Sequence, residues 1–84
     1  MSITFAPGVR LHEDRTRDRW IVMAPERMFI PDEIALEVLR LVDGVRDEAA
    51  IVALLAASFA APVDVIATDV RAMLQDLRDK GALA

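Results

Sequence analysis

Five residues, Trp20-Ile21-Val22-Met23-Ala24, run apolar without a break in the first third of the chain. An extended strand sends successive side chains to opposite faces, so Trp20, Val22 and Ala24 share one side and Ile21 and Met23 the other. A strand that is apolar on both sides belongs in the middle of a sheet and needs a neighbour on each flank. The adjoining sequence supplies both. Upstream, after the punctuation Pro7-Gly8, Val9 and Leu11 alternate with Arg10 and His12 in the pattern of a half-buried strand. Downstream, Pro25-Glu26 turns the chain and Arg27-Met28-Phe29-Ile30 forms a third short run. Pro31 ends that run, because it has no amide hydrogen to give to a ladder. The expectation is an antiparallel meander over residues 9–14, 19–24 and 27–30. The charged stretch Arg15-Thr16-Arg17-Asp18-Arg19 falls between the first two strands and suits a solvated hairpin tip.

Beyond Pro31 the apolar period changes from two to that of a helix. Asp32 is a good N-cap, and Glu33 follows where the helix dipole favours negative charge. Ile34, Ala35, Val38, Leu39, Leu41 and Val42 then mark a helix over 32–43, stopped by Asp43-Gly44. Asp47 opens a second helix over 47–60, with Ile51, Leu54, Leu55 and Phe59 on one face and Pro62 as its breaker. Asp64 is the expected cap of a third helix over 64–80, which carries Ile66, Val70, Met73, Leu74 and Leu77 and closes at Lys80-Gly81. Three strands followed by three helices, in a chain of 84 residues that reads as one domain, is an α+β arrangement with helices covering one face of the sheet.

Composition excludes most chemistry. There is no cysteine, and one histidine, His12, on the polar phase of the first strand, so thiolate and multi-histidine metal sites are ruled out. Ser2 and Ser58 have no base beside them in sequence, and three glycines form no phosphate-binding loop. The carboxylates Asp32, Glu33, Asp43, Asp47, Glu48 and Asp64 fall in caps and on polar helix faces. No catalytic residue, metal site or cofactor is expected. A net charge of −4 argues against nucleic acid, whose affinity comes from Lys and Arg displacing counterions. No apolar run has the length of a membrane span and no secretory signal opens the chain, so the expected location is the cytoplasm, away from membranes. Trp20 is expected in the core, with Met23 and Met73 filling core gaps.

The third strand is the feature that composition leaves unexplained. It is an edge of the meander, and edges are normally blunted by charge, proline or a covering segment. Here Met28, Phe29 and Ile30 occupy its middle with no lysine among them. With Ile66, Met73 and Leu77 of the third helix packed inward, Val70 and Leu74 are expected to face that strand. An edge strand beside a partly apolar helix forms a groove in which an extended peptide can add as a further strand. On spacing alone, the same stripes serve equally well as core or as a homodimer face.

The ordered segments "APGVRL", "RWIVMAPER", "VLRLVDGVR", "IVALLAASFAAP" and "IATDVRAMLQDLRDKG" resemble the D protein family of pyrroloquinoline quinone (PQQ) biosynthesis over about residues 6–81. The resemblance implies a winged-helix-like domain that acts as a peptide chaperone without catalysis. It further implies two partners. One is the ribosomal precursor peptide of PQQ; the other is the radical S-adenosylmethionine enzyme that cross-links a Glu and a Tyr within it. In related recognition elements the guest adds beside the third strand and against the third helix. Carried onto this chain, that implies Arg27, Met28, Phe29 and Ile30 on the strand, and Asp69, Val70, Arg71 and Leu74 on the helix. Two departures stand out. Pro31-Asp32-Glu33-Ile34-Ala35 replaces the family's frequent Leu-Asn-Glu-Thr-Ala, and the tail Gly81-Ala82-Leu83-Ala84 is shorter than in many relatives. Two rival readings are a winged-helix DNA-binding regulator and a dimerisation module that uses the same strand edge. The first needs a positive recognition helix, whereas the third helix sets Arg71, Arg78 and Lys80 against Asp69, Asp76 and Asp79.

Overall fold

The computed structural model describes residues 1–25 and 27–84. Strands β1 (Arg10–Asp14), β2 (Arg19–Ala24) and β3 (Arg27–Phe29) precede helices α1 (Glu33–Arg40), α2 (Glu48–Phe59) and α3 (Val63–Asp79). The sheet is antiparallel in the order β1-β2-β3, so the strand with two apolar faces is central. Ile21 and Val22, on opposite faces of β2, are both buried. Pairing of Leu11 with Val22, and of Val22 with Phe29, makes one cross-strand row on the core side; Arg10, Met23 and Met28 form the row behind it. The expected turn at Pro25-Glu26 falls partly on Glu26, which lies outside the described residues.

Val22 of the sheet, Val38 and Leu39 of α1, Ile51 of α2, and Leu74 and Leu77 of α3 are the largest fully buried side chains. The central strand and all three helices therefore contribute through the faces that their apolar periods select. Trp20 departs from its expected place. It is half-buried, and the Arg40 guanidinium lies 5.0 Å from its ring centroid. An indole there gains cation–π attraction without losing all contact with water.

The helix ends differ from the sequence reading for local reasons. Asp32 caps α1 by accepting a hydrogen bond from the Ala35 N–H at 2.8 Å, but the helix stops at Arg40 rather than at 43. Its last turn tightens: Leu41 and Val42 donate to the carbonyls three residues back, at 3.1 and 3.2 Å. Gly44 then takes φ +81, a conformation that suits glycine. Asp47 caps α2 through the Ala50 N–H at 2.8 Å, and Ala60 ends that helix in the left-handed region. α3 begins one residue early, at Val63, so Asp64 lies in the first turn instead of capping it. There its charge still complements the dipole.

One structural layer had no counterpart in the sequence reading. Residues ahead of β1 fold back as an arm: Ser2 bridges Asp47, Phe5 bridges Leu83, and the Ala84 N–H donates to the Thr4 carbonyl at 3.0 Å. Ile3, Ala82 and Leu83 are buried in the process. The two chain ends thus complete the core together. For a domain this small, those additional apolar groups are a material part of its burial.

The loop after α1 is organised by Asp43, whose carboxylate accepts from the backbone N–H groups of Val45 and Arg46, both at 2.9 Å. The bond from the Arg46 amide, then that from Val45, holds the Asp43 carboxyl below its ordinary value of 3.8. Lowering the folded-state value means that the ionised group favours the fold above the unfolded value, and that this contribution is lost as pH falls through the folded one. In thermal melts, wild type is expected to exceed Asp43→Asn at neutral pH. The gap should narrow below about pH 4, where the carboxylate of the unfolded chain protonates.

Candidate functional site

Met28 and Ile30 are 60% and 56% exposed, and no strand pairs with the outer edge of β3 among the described residues. In an antiparallel ladder alternate residues direct their N–H and C=O groups to one side. The stretch from Arg27 to Ile30 therefore leaves backbone donors and acceptors pointing away from β2. Phe29 faces the other way in the pleat and packs against the core with part of its ring uncovered.

The first residues of β3 are fastened to the end of α3. The Arg27 guanidinium donates to the Lys80 carbonyl, one of the groups that a helix C-terminus leaves unpaired. Lys80 returns over β3: its ammonium stands 5.7 Å from the Phe29 ring centroid and 2.9 Å from an Asp76 carboxylate oxygen. Arg27, Met28, Phe29, Ile30 and Lys80 together line a shallow depression along the edge. Gly81 makes the approach of Arg27 feasible. Its φ is +80, and a β-carbon at that position would lie 2.6 Å from Nη2 of Arg27.

The face of α3 turned toward this depression is not the one expected. Val70 is buried, and Leu74 and Leu77 are fully buried, so the stripe at 70, 74 and 77 is the inner one. The stripe beside it, at 66, 69, 73, 76 and 80, is spaced by alternating steps of three and four and lies at the margin of the core, with Asp69, Asp76 and Lys80 exposed. Ile66 and Met73 on it are half-buried. This corrects the expectation that Val70 and Leu74 face outward; Ile66 and Met73, expected inward, do pack against the core but are only half-buried. Leu74 cannot meet a guest without opening the core, and Val70 reaches the surface only as the wall of a recess. Arg71 is directed elsewhere: its Nε lies 3.6 Å from Glu48 at the start of α2. Of the four helix positions named from sequence, Asp69 is the one exposed on the outward stripe.

Residues that the sequence reading did not select complete the surface. Asp69 and Met73 share a depression with Ile34, Ala72 and Asp76. The same three residues, Ile34, Asp69 and Met73, border a deeper recess walled by Val38, Leu55, Phe59, Ile66 and Val70. Ile34, in the first turn of α1, is 61% exposed although apolar. These depressions extend past the start of α1 to the end of α2, and the Asp76–Lys80 ion pair links them to the depression along β3. The signal was present as apolar side chains at 34, 59, 66 and 73. Which of them are buried depends on how α3 is rotated, and spacing alone left two rotations open.

Three antiparallel strands followed by three helices, with an open strand edge beside the last helix, define the class of winged-helix-like recognition domains. The chain belongs to the PqqD family: the family described as coenzyme PQQ synthesis protein D matches residues 19–83. A relative from Rhodopseudomonas palustris (strain TIE-1), named PqqA binding protein, is 57% identical over 74 residues, covering 88% of this chain and 72% of the relative. A protein of the same name from Gluconobacter oxydans is 48% identical over 81 residues, covering 96% and 84%. Among solved structures, the NMR structure of the PqqD truncation of Methylobacterium extorquens PqqCD aligns with a TM-score of 0.78 at 35% identity, covering 98% of this chain and 87% of that one. That protein is described as a functional and stand-alone recognition element for ribosomally synthesised, post-translationally modified peptides. The crystal structure of PqqD from Xanthomonas campestris aligns with a TM-score of 0.60 at 44% identity, covering 88% and 82%.

Replacing Gly81 by alanine forces a side chain into left-handed backbone and displaces the Arg27 guanidinium from the α3 terminus. Chemical denaturation is expected to show a loss of about 1–2 kcal/mol, with the fold retained.

Proposed function

We propose that this chain is a non-catalytic peptide chaperone of PQQ biosynthesis. It binds the PqqA-type precursor peptide at the outer edge of β3 and presents it, in the cytoplasm, to the radical S-adenosylmethionine enzyme that joins its Glu and Tyr. The observation that carries this reading is the free edge with exposed Met28 and Ile30. The names of the relatives from Rhodopseudomonas palustris and Gluconobacter oxydans, both PqqA binding proteins, support the identity of the guest.

Magnitudes describe how such an edge works. Four edge residues offer about four backbone hydrogen bonds, each worth about 0.5–1.5 kcal/mol net. Association and ordering cost about 4 kcal/mol or more, so the ladder alone holds a guest weakly. Each apolar side chain that the guest buries adds about 1.5–3 kcal/mol. A guest with two or three such anchors is held firmly enough to be carried and loosely enough to be handed on. Met28 and Ile30 are receptors of the right kind. Arg27 serves the same site by holding β3 against α3.

Titration of isotope-labelled protein with synthetic PqqA peptide is expected to perturb the amides of residues 27–30 at tens of micromolar. Ile30→Glu, at an exposed position, should weaken binding by about tenfold or more with an unchanged circular dichroism spectrum. An unperturbed β3 at saturating peptide, or full affinity in the variant, would overturn the assignment.

A further inference from the structure

The recess between the three helices is more than a continuation of the surface. It has a volume of about 150 Å³, and it is lined by Ile34 and Val38 from α1, Leu55 and Phe59 from α2, and Ile66, Val70 and Met73 from α3, with Asp69 the one charged residue among them. A cavity of that size with aliphatic and aromatic walls accommodates a benzene-sized group. Phe59 is 54% exposed and Ile34 more so, which leaves apolar surface facing water around the opening. Ile34, Asp69 and Met73 also line the depression that contains Asp76, and Asp76 pairs with Lys80, which lines the depression along β3.

Every charged residue that lines the recess or its two neighbouring hollows is acidic. Asp69 and Asp76 border one of these hollows and Glu33 and Glu37 the other, and Ile34 lines both. No lysine or arginine lines the recess or either neighbouring hollow. Asp76 is engaged by Lys80 at 2.9 Å and Glu37 by Arg40 at 3.7 Å, whereas Asp69 makes no ion pair among the described residues. A carboxylate at the mouth of an apolar socket favours a guest whose buried side chain lies next to a positive charge.

We infer that the recess is a second anchor point for the same guest: after leaving β3, the peptide places one aliphatic or aromatic side chain between α1, α2 and α3, with an adjacent cation on Asp69. That cation is a lysine, an arginine or the peptide's own amino terminus. The inference rests on the proposed peptide-binding reading and adds to it a location off the sheet and a specificity. The ladder supplies backbone pairing that any sequence can make. The socket, with its acidic border, selects among sequences.

The chain's four methionines, at positions 1, 23, 28 and 73, provide a test that separates the two claims. Protein carrying ¹³C-labelled methionine methyl groups is titrated with synthetic PqqA peptide, and intermolecular NOEs are collected at saturation. Shifts at both Met28 and Met73 along one binding curve, with NOEs from an apolar side chain of the peptide to Met73, are the expected result. A shift at Met28 with Met73 silent overturns the socket and leaves the strand edge standing. Silence at both overturns the proposed function itself. For the charge, Asp69→Asn is expected to weaken binding several-fold. That loss should disappear with a peptide whose neighbouring cation has been neutralised, by Lys or Arg to Gln or by N-acetylation. Equal affinity of Asp69→Asn and wild type for the unmodified peptide overturns the specificity.

Discussion

Burial of one stripe of α3 fixes nearly everything that the rest of the surface can do. Val70, Leu74 and Leu77 are enclosed together with Val22 of the central strand and with Val38 and Ile51 of the other helices. A helix turns by a set angle per residue, so seating those three side chains leaves no freedom for the others. Ile66, Asp69, Met73, Asp76 and Lys80 are thereby left to line the depressions between the helices and beside β3. The alternating steps in that second stripe are a consequence of the first. Rotating α3 by one position would bury Asp69 or Arg71, and an unpaired ion in that interior costs several kcal/mol.

The sheet was the most legible part of the molecule. Trp20 to Ala24 cannot lie at an edge without exposing one apolar face, and that constraint places β1 and β3 on either side. Asp32 and Asp47 were equally readable, because a carboxylate before an apolar run has one favoured use. The helix ends were less so. A tightened last turn at Leu41 and Val42, and a left-handed Ala60, depend on where the following loop has to go. The arm at Ile3 and the buried tail at Ala82 and Leu83 were not legible. Their apolar residues are too few for a period, and their partners lie almost the full chain length away.

The candidate site divides along the same line. Arg27 to Ile30 could be picked out because an unguarded apolar edge is anomalous in its own right. The helical half could not, because Val70, Leu74, Ile66 and Met73 are all apolar at helical spacing and two seatings were consistent with the pattern. Arg71 looked eligible beside Asp69, but helical neighbours one and two apart face different directions. Arg71 instead reaches Glu48. Ile34 was hidden by its role in the period of α1; its exposure becomes apparent only once α1 is docked.

Pro31 has an effect that extends past ending a strand. Pairing between extended chains repeats every two residues, so a long uniform edge tolerates guests shifted by two in either direction. Here the usable edge is only a few residues long, closed at one limit by a ring nitrogen and pinned at the other by the Arg27 clasp. Neighbouring alignments are therefore unequal, since each shift forfeits a large share of the bonds. On the proposed reading, so brief a ladder would work as a ruler: it would set how many residues of the guest separate the docked segment from whatever part protrudes, and so the point at which a modifying enzyme would find its target.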